Sequence, residues 1–158
     1  LFFKGINIFI PIIFTILIFL QICVGAFVSG MDAGQIYNSW PLMGSSYFPD
    51  DNHFINIFKL SAFDDPSLVQ FFHRNLAYVI FIFFLFISFE IYKKKLKKLY
   101  LTINIVGLFL FIQIILGILT LIYGAQIYLA SMHQLSSIFL VSSSIYLLYL
   151  NSNRQLSG

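Results

Sequence analysis

The chain has 158 residues, 59% of them hydrophobic and only 9% charged, with 20 Phe and a mean hydropathy of +0.91. Soluble domains carry about 25% charge, so a chain this apolar could bury a core in water but could not cover that core with a solvated surface. Soluble enzymes, disordered tails and nucleic-acid binders are disfavoured, and a membrane chain is the class that remains. The net charge of +3 is concentrated, since five of the nine Lys and Arg residues lie between Lys93 and Lys98, which leaves no dispersed basic face for a phosphate backbone.

In chain order, the first apolar stretch covers about residues 7–29. Pro11 falls early in it, where a missing N–H costs little. The single cysteine, Cys23, can form no intrachain disulfide and reads as core filler. The first residue is Leu1, and no charged segment followed by a small-residue cleavage site marks a signal peptide. The chain therefore reads as part of a longer one.

Residues 30–67 form a long loop that carries five aspartates against Lys59 alone. It is not polar: Ile36, Tyr37, Trp40, Leu42, Met43, Tyr47 and Phe48 precede Phe54, Ile57, Phe58 and Leu60 at near-helical spacing. Such a loop is expected either to lie on the membrane interface or to cap a site as a lid. Asp65-Pro66-Ser67 then reads as a helix N-cap followed by proline at the first helical position.

Three more apolar stretches follow at about 68–92, 99–123 and 127–150. Each of the four is long enough to cross a hydrocarbon core, which takes roughly 20 helical residues. The expectation is an all-α integral membrane four-helix bundle, a single transmembrane domain over residues 1–158. Lys93, Lys94, Lys95, Lys97 and Lys98 fill the second connection, which places it on the cytoplasmic or matrix side. Lys4 and Arg154 fall on that same inner side, and the loop 30–67 on the outer one.

Gln21-Ile22-Cys23-Val24-Gly25 in the first span matches Gln113-Ile114-Ile115-Leu116-Gly117 in the third, and each is followed by a span with one histidine. Two helix pairs in the same orientation imply a pseudo-two-fold axis along the membrane normal. His73 and His133 are both near the outer ends of their spans, so the imidazoles should lie at matching depth. A planar macrocycle with two open axial positions would suit a gap between them. Ala77, Ser136 and Ser137, one turn on, are small enough to leave it room.

Each histidine could instead be an interhelical hydrogen bonder. A lone one would favour that reading, whereas the matched pair leaves the two readings even. No Cys, Asp or Glu lies near the pair in sequence to complete a zinc set or a facial triad. His53, among Asp50, Asp51 and Asn52, reads as a solvated loop residue, and Glu90 as a partner of the lysines that follow it. Arg74 at the outer rim either snorkels to the interface or neutralises an acidic group of a cofactor, such as a haem propionate.

Three stretches carry a family resemblance: residues 28–43 (VSGMDAGQIYNSWPLM), residues 69–78 (VQFFHRNLAY), and Gln113 to Gly117 followed by His133-Gln134. In order and spacing the chain resembles the haem A synthase family, specifically its carboxy-terminal four-helix half in the mitochondrial and proteobacterial type. The resemblance implies half of an eight-helix oxidoreductase that converts the C8 methyl of haem O to the formyl of haem A for cytochrome c oxidase. It implies a haem b between His73 and His133 as axial iron ligands; Arg74, with no acidic residue within one turn to pair with it, is expected to bind that cofactor. It also implies a bacterial or mitochondrial inner membrane, with the loop 30–67 on the periplasmic or intermembrane side. The expected partners are haem O, the amino-terminal half of the same protein, haem O synthase, membrane lipid and a second copy of the chain; nucleic acid is not among them. That amino-terminal half and the paired loop cysteines of some members are missing from these residues, so the 158 residues alone are expected to be inactive. The rival readings are a stand-alone bis-histidine membrane cytochrome b that carries electrons, and a transporter or scaffold without cofactor.

Overall fold

The computed structural model describes residues 5–156, with side chains to Asn153. Lys4 and the Arg154 side chain, expected on the inner side, lie outside the described residues. Four long helices carry the fold: α1 (Phe9–Gly30), α2 (Pro66–Lys93), α3 (Lys97–Ile122) and α4 (Ile127–Leu156). No strand occurs among the described residues. The shortest helix has 22 residues and at 1.5 Å per residue spans about 33 Å, enough for a hydrocarbon core of about 30 Å. All four are long and apolar enough to cross a membrane, and the chain is a multi-pass membrane protein.

Local chemistry sets the ends. Pro11 is the third residue of α1, among the donors that would have no intrahelical partner, and its carbonyl accepts from Thr15 Oγ1 at 2.9 Å. Asp65 caps α2 as expected, accepting the Leu68 N–H at 3.1 Å with Pro66 first in the helix. Between α2 and α3 the chain turns in three residues: Lys95 N–H reaches the Tyr92 carbonyl and Leu96 N–H the Ile91 carbonyl, both at 3.0 Å, with Lys95 in the left-handed region at φ 53°. Glu90 pairs with Lys94 at 2.9 Å beside that turn.

Helix α1 packs mainly on α2 and α3 on α4, while contacts of α1 with α4 and of α2 with α3 close the bundle. Phe14, Ile18, Ile80, Ile87, Ile103, Val106, Leu140 and Leu147 fill the middle. The outside is equally apolar, with Leu101 exposed by 72%, as a lipid-facing surface requires. Cys23 is part of that outside: it is exposed, where the sequence suggests core filler. Lipid accepts the residue types that a core does, so an apolar run does not reveal its inward face. At the end of the bundle away from the loop 30–67, buried Asn151 closes the bundle through two bonds to Ile6, accepting its N–H and donating to its carbonyl, both at 3.0 Å.

The outer loop is tied to the helix tops. Short 3₁₀ turns at Ala33–Gln35, Phe54–Phe58 and Leu60–Asp64 shape it. Asn38 donates to the Leu121 carbonyl of α3 at 2.9 Å, Trp40 Nε1 to the Tyr78 hydroxyl at 3.0 Å, and the Tyr47 hydroxyl to Asn75 at 2.7 Å. Residues 37–47 thus cap the bundle above α2 and α3. Phe54, Phe58 and Leu60 present apolar side chains outward.

Candidate functional site

His73 sits in the second turn of α2 and His133 in the second turn of α4. Their ring centroids are 6.5 Å apart and the ring planes cross at 84°. Two histidines separated by 60 positions in sequence are thus neighbours in the bundle.

Each imidazole has a seat on the preceding helix. Gln21 Nε2 of α1 donates to the His73 carbonyl at 3.1 Å and lies 3.3 Å from His73 Nε2. Gln113 Nε2 of α3 donates to the His133 carbonyl at 2.8 Å and also to Ser136 Oγ. One turn along, a methyl at Gly25 would sit 3.1 Å from His73 Cε1, and one at Gly117 would sit 3.2 Å from His133 Cε1. The absence of a side chain at these glycines lets each imidazole lie against the neighbouring backbone. Sequence reasoning found the Gln–x–x–x–Gly repeat but did not connect it with the imidazoles.

Arg74 turns away from the imidazole pair toward the loop. Its Nη1 donates to the carbonyls of Ser39 at 2.9 Å and Leu42 at 3.2 Å, and its Nη2 to that of Tyr37 at 3.0 Å. Gln70, one turn earlier and buried, donates to the same Tyr37 carbonyl at 3.1 Å. The Arg74 Nε–H is buried without a partner. Ser136 is engaged by Gln113, and Ser137 donates to the Gln134 carbonyl at 2.6 Å. His53 is exposed and distant in sequence from any other histidine.

Charge in the cap is held by hydrogen bonds. Asp50 takes the Ser45 backbone N–H at 2.8 Å and the hydroxyls of Ser45 and Ser46, which lower its pKa. Burial pushes the Asp51 carboxyl up, but donation from the Ser67 hydroxyl at 2.7 Å, the Tyr37 hydroxyl at 3.0 Å and Asn52 outweighs it and leaves the pKa lowered. Burial, followed by the bond to Asp51, raises that of Tyr37.

What the pair could hold follows from its donors. Among the described residues no three His, Cys, Asp or Glu side chains come together to hold a metal ion. Two imidazoles alone suit a metal that brings its own equatorial ligands. The Nδ1 atoms of both rings are buried with no hydrogen-bond partner, so each ring has an uncommitted nitrogen. Metal–nitrogen bonds of about 2 Å on either side, with about 1.1 Å from ring nitrogen to ring centre, would put the centroids about 6.2 Å apart, close to the observed 6.5 Å. The residues therefore fit a bis-imidazole haem.

Comparison with known proteins bears on the same residues. The model of the family COX15-CtaA, described as cytochrome oxidase assembly protein, matches residues 5–145. A heme A synthase of Pelagibacter ubique is 44% identical over 148 residues, which cover 93% of this chain and 43% of that protein. Heme A synthases of Rickettsia bellii and Rickettsia africae are 38% and 37% identical, over 90% and 89% of this chain and 44% and 43% of theirs. The chain thus spans less than half the length of these relatives. No solved structure matches it. With α1, α2 and α3, both imidazole seats and most of α4 inside the matched region, the chain belongs to the cytochrome oxidase assembly protein family COX15-CtaA.

Proposed function

We propose that this chain is the haem-binding, electron-transferring half of a haem A synthase, with His73 and His133 as the two axial ligands of a haem b. The observation that carries the reading is the imidazole pair, 6.5 Å between centroids beneath the docked loop. A haem held this way supplies one-electron redox chemistry through its iron. Converting the C8 methyl of haem O to the formyl of haem A is an oxidation, and a one-electron carrier fixed in the membrane is suited to move its electrons. His73 and His133 would hold the haem, and haem O would be converted in the amino-terminal half of the complete protein. The 158 residues alone would not turn over.

Arg74 assists in this reading. It holds the loop above the imidazoles, and its unpartnered Nε–H is available to a haem propionate. The lysine-rich turn is assigned to the inner side of a bacterial or mitochondrial inner membrane, and the loop 30–67 to the periplasmic or intermembrane side. Haem O, haem O synthase, lipid and a second copy of the chain are the partners this role calls for.

The full-length protein, purified with its haem, should show a low-spin six-coordinate haem b spectrum. His73→Ala and His133→Ala should each abolish it or convert it to high spin. Both variants keeping the low-spin spectrum would overturn the ligand assignment. A second reading, a stand-alone membrane cytochrome b, is favoured by the fact that four helices bring both imidazoles together. Conversion of haem O by the full-length protein, lost in the histidine variants, separates the two.

A further inference from the structure

The sequence repeat of glutamine and glycine has a three-dimensional counterpart that neither the ligands nor the loop explains. On α1 and on α3, a glutamine and the glycine four residues later share one helix face. In both helices that face meets the histidine of the next helix in chain order. We infer that Gln21–Gly25 and Gln113–Gly117 are two matched seats that fix the positions of His73 and His133. They are positioning residues for the bis-imidazole site, and the inference rests on the haem reading above.

The physical argument has two parts. A carbonyl in the second turn of a helix normally accepts only from the N–H four residues on. Donation from the glutamine amide, at 3.1 Å to His73 and 2.8 Å to His133, adds a bond between helices, modest in free energy but specific in geometry. It locks the helix that carries the ligand to its neighbour at the level of the ligand. The glycine then sets the imidazole edge: Cε1 approaches so closely that an alanine methyl, 3.1 or 3.2 Å away, would have to displace the ring by a few tenths of an ångström.

The two seats are not identical. Gln113 Nε2 also donates to Ser136 Oγ, three residues after His133. The corresponding position after His73 is Leu76, which offers no acceptor, and Gln21 Nε2 instead lies 3.3 Å from His73 Nε2. Both rings lie against the glycine of their seat, but only the glutamine on α1 also approaches the ring itself, whereas that on α3 reaches the His133 carbonyl and a serine.

The test uses the full-length protein loaded with haem, in five forms: wild type, Gly25→Ala, Gly117→Ala, Gln21→Leu and Gln113→Leu. Alanine is a better helix former than glycine, so the two alanine variants should fold at wild-type yield while disturbing the imidazoles. The leucine variants keep the side-chain bulk and remove the donor. Each should shift the low-spin g-values in electron paramagnetic resonance and the haem midpoint potential. Haem should be retained about 10- to 100-fold less tightly, as when partners of metal ligands are lost. Gln21→Leu should shift the g-values more than Gln113→Leu, because only Gln21 touches the ring.

Wild-type g-values, potential and haem retention in all four variants would overturn the inference. If one variant failed to fold, unchanged values in the others would overturn it equally. Loss of the low-spin signal in His73→Ala and His133→Ala alongside those unchanged values would show that the haem reading stands while the seats fail. Persistence of the signal in the histidine variants would mean instead that the haem reading itself had failed.

Discussion

Arg74 reaches from the second turn of α2 to the carbonyl of Tyr37 at 3.0 Å, and through that one atom the loop above the imidazoles is coupled to the helix that carries His73. The same guanidinium holds the carbonyls of Ser39 and Leu42. Bonds from a charged donor contribute about 1.5–3 kcal/mol when shielded from water, and at this half-buried rim the lower end applies. Arg74→Leu should raise backbone hydrogen exchange over residues 37–43. In haem-loaded protein it should also lower the midpoint potential, since removing a positive charge favours the oxidised iron. Arg74→Lys should show a smaller change in both, because the charge survives while the fork that spans three carbonyls does not.

Asn151 and Ile6 close the end of the bundle away from the loop 30–67 across 145 positions of sequence. Asn151→Leu removes both bonds at a site where the asparagine is 0% exposed. A loss of about 1–3 kcal/mol is expected, read as a lower unfolding temperature in detergent with the haem spectrum unchanged.

The turn after α2 and the turn after α3 each place one residue at the equivalent position in the left-handed region, Lys95 at φ 53° and Gly124 at φ 66°, and diverge at the next, where Ala125 has φ 57° and Leu96 has φ −78°. A side chain in the left-handed region costs about 1 kcal/mol. Lys95→Gly should therefore stabilise the protein by up to about 1 kcal/mol, and Gly124→Ala should destabilise it by a similar amount. Thermal unfolding of the pair, compared with wild type, checks both signs.

Asp51 couples the cap to pH. Its carboxyl is held below its unfolded value by bonds from Ser67, Tyr37 and Asn52. A depressed pKa contributes stability that is present above the unfolded value, about 3.9, and is lost as pH falls through the folded one. The protection factor against hydrogen exchange at Tyr37 and Ser67, measured relative to intrinsic exchange at each pH, should thus be flat near neutral pH and fall on acidification below about pH 4. Asp51→Asn should lower it at neutral pH and flatten the acid response.

Orientation is tested in a Cys23→Ser background, since Cys23 is exposed. An impermeant thiol reagent added to intact cells or mitoplasts should label Ser61→Cys in the loop and leave Lys95→Cys unlabelled. The opposite pattern would reverse the assigned topology.

Much of this molecule is written locally in its sequence. The four spans follow from run length and hydropathy, the start of α2 from Asp65-Pro66, and the pairing of Glu90 from the lysines one turn on. These are properties of neighbouring residues, so no fold is needed to read them. The two histidines were legible as a pair because they occupy equivalent places in a repeat.

The tertiary structure decided which faces turn inward, and for a physical reason: the surroundings of a membrane bundle are as apolar as its core, so no period of polarity separates them. Cys23 faces outward and Phe14, nine residues earlier, is fully buried, although both lie in one apolar run. The loop was equally unreadable at the level of contacts, because Arg74, Gln70 and Asn38 bind backbone carbonyls, which every residue carries and no sequence singles out. The glutamine and glycine repeat was visible as letters. Only the packing of α1 on α2 and of α3 on α4 turns those letters into seats for His73 and His133, since it takes the folded bundle to set a glutamine beside a histidine 52 residues away in one pair and 20 in the other.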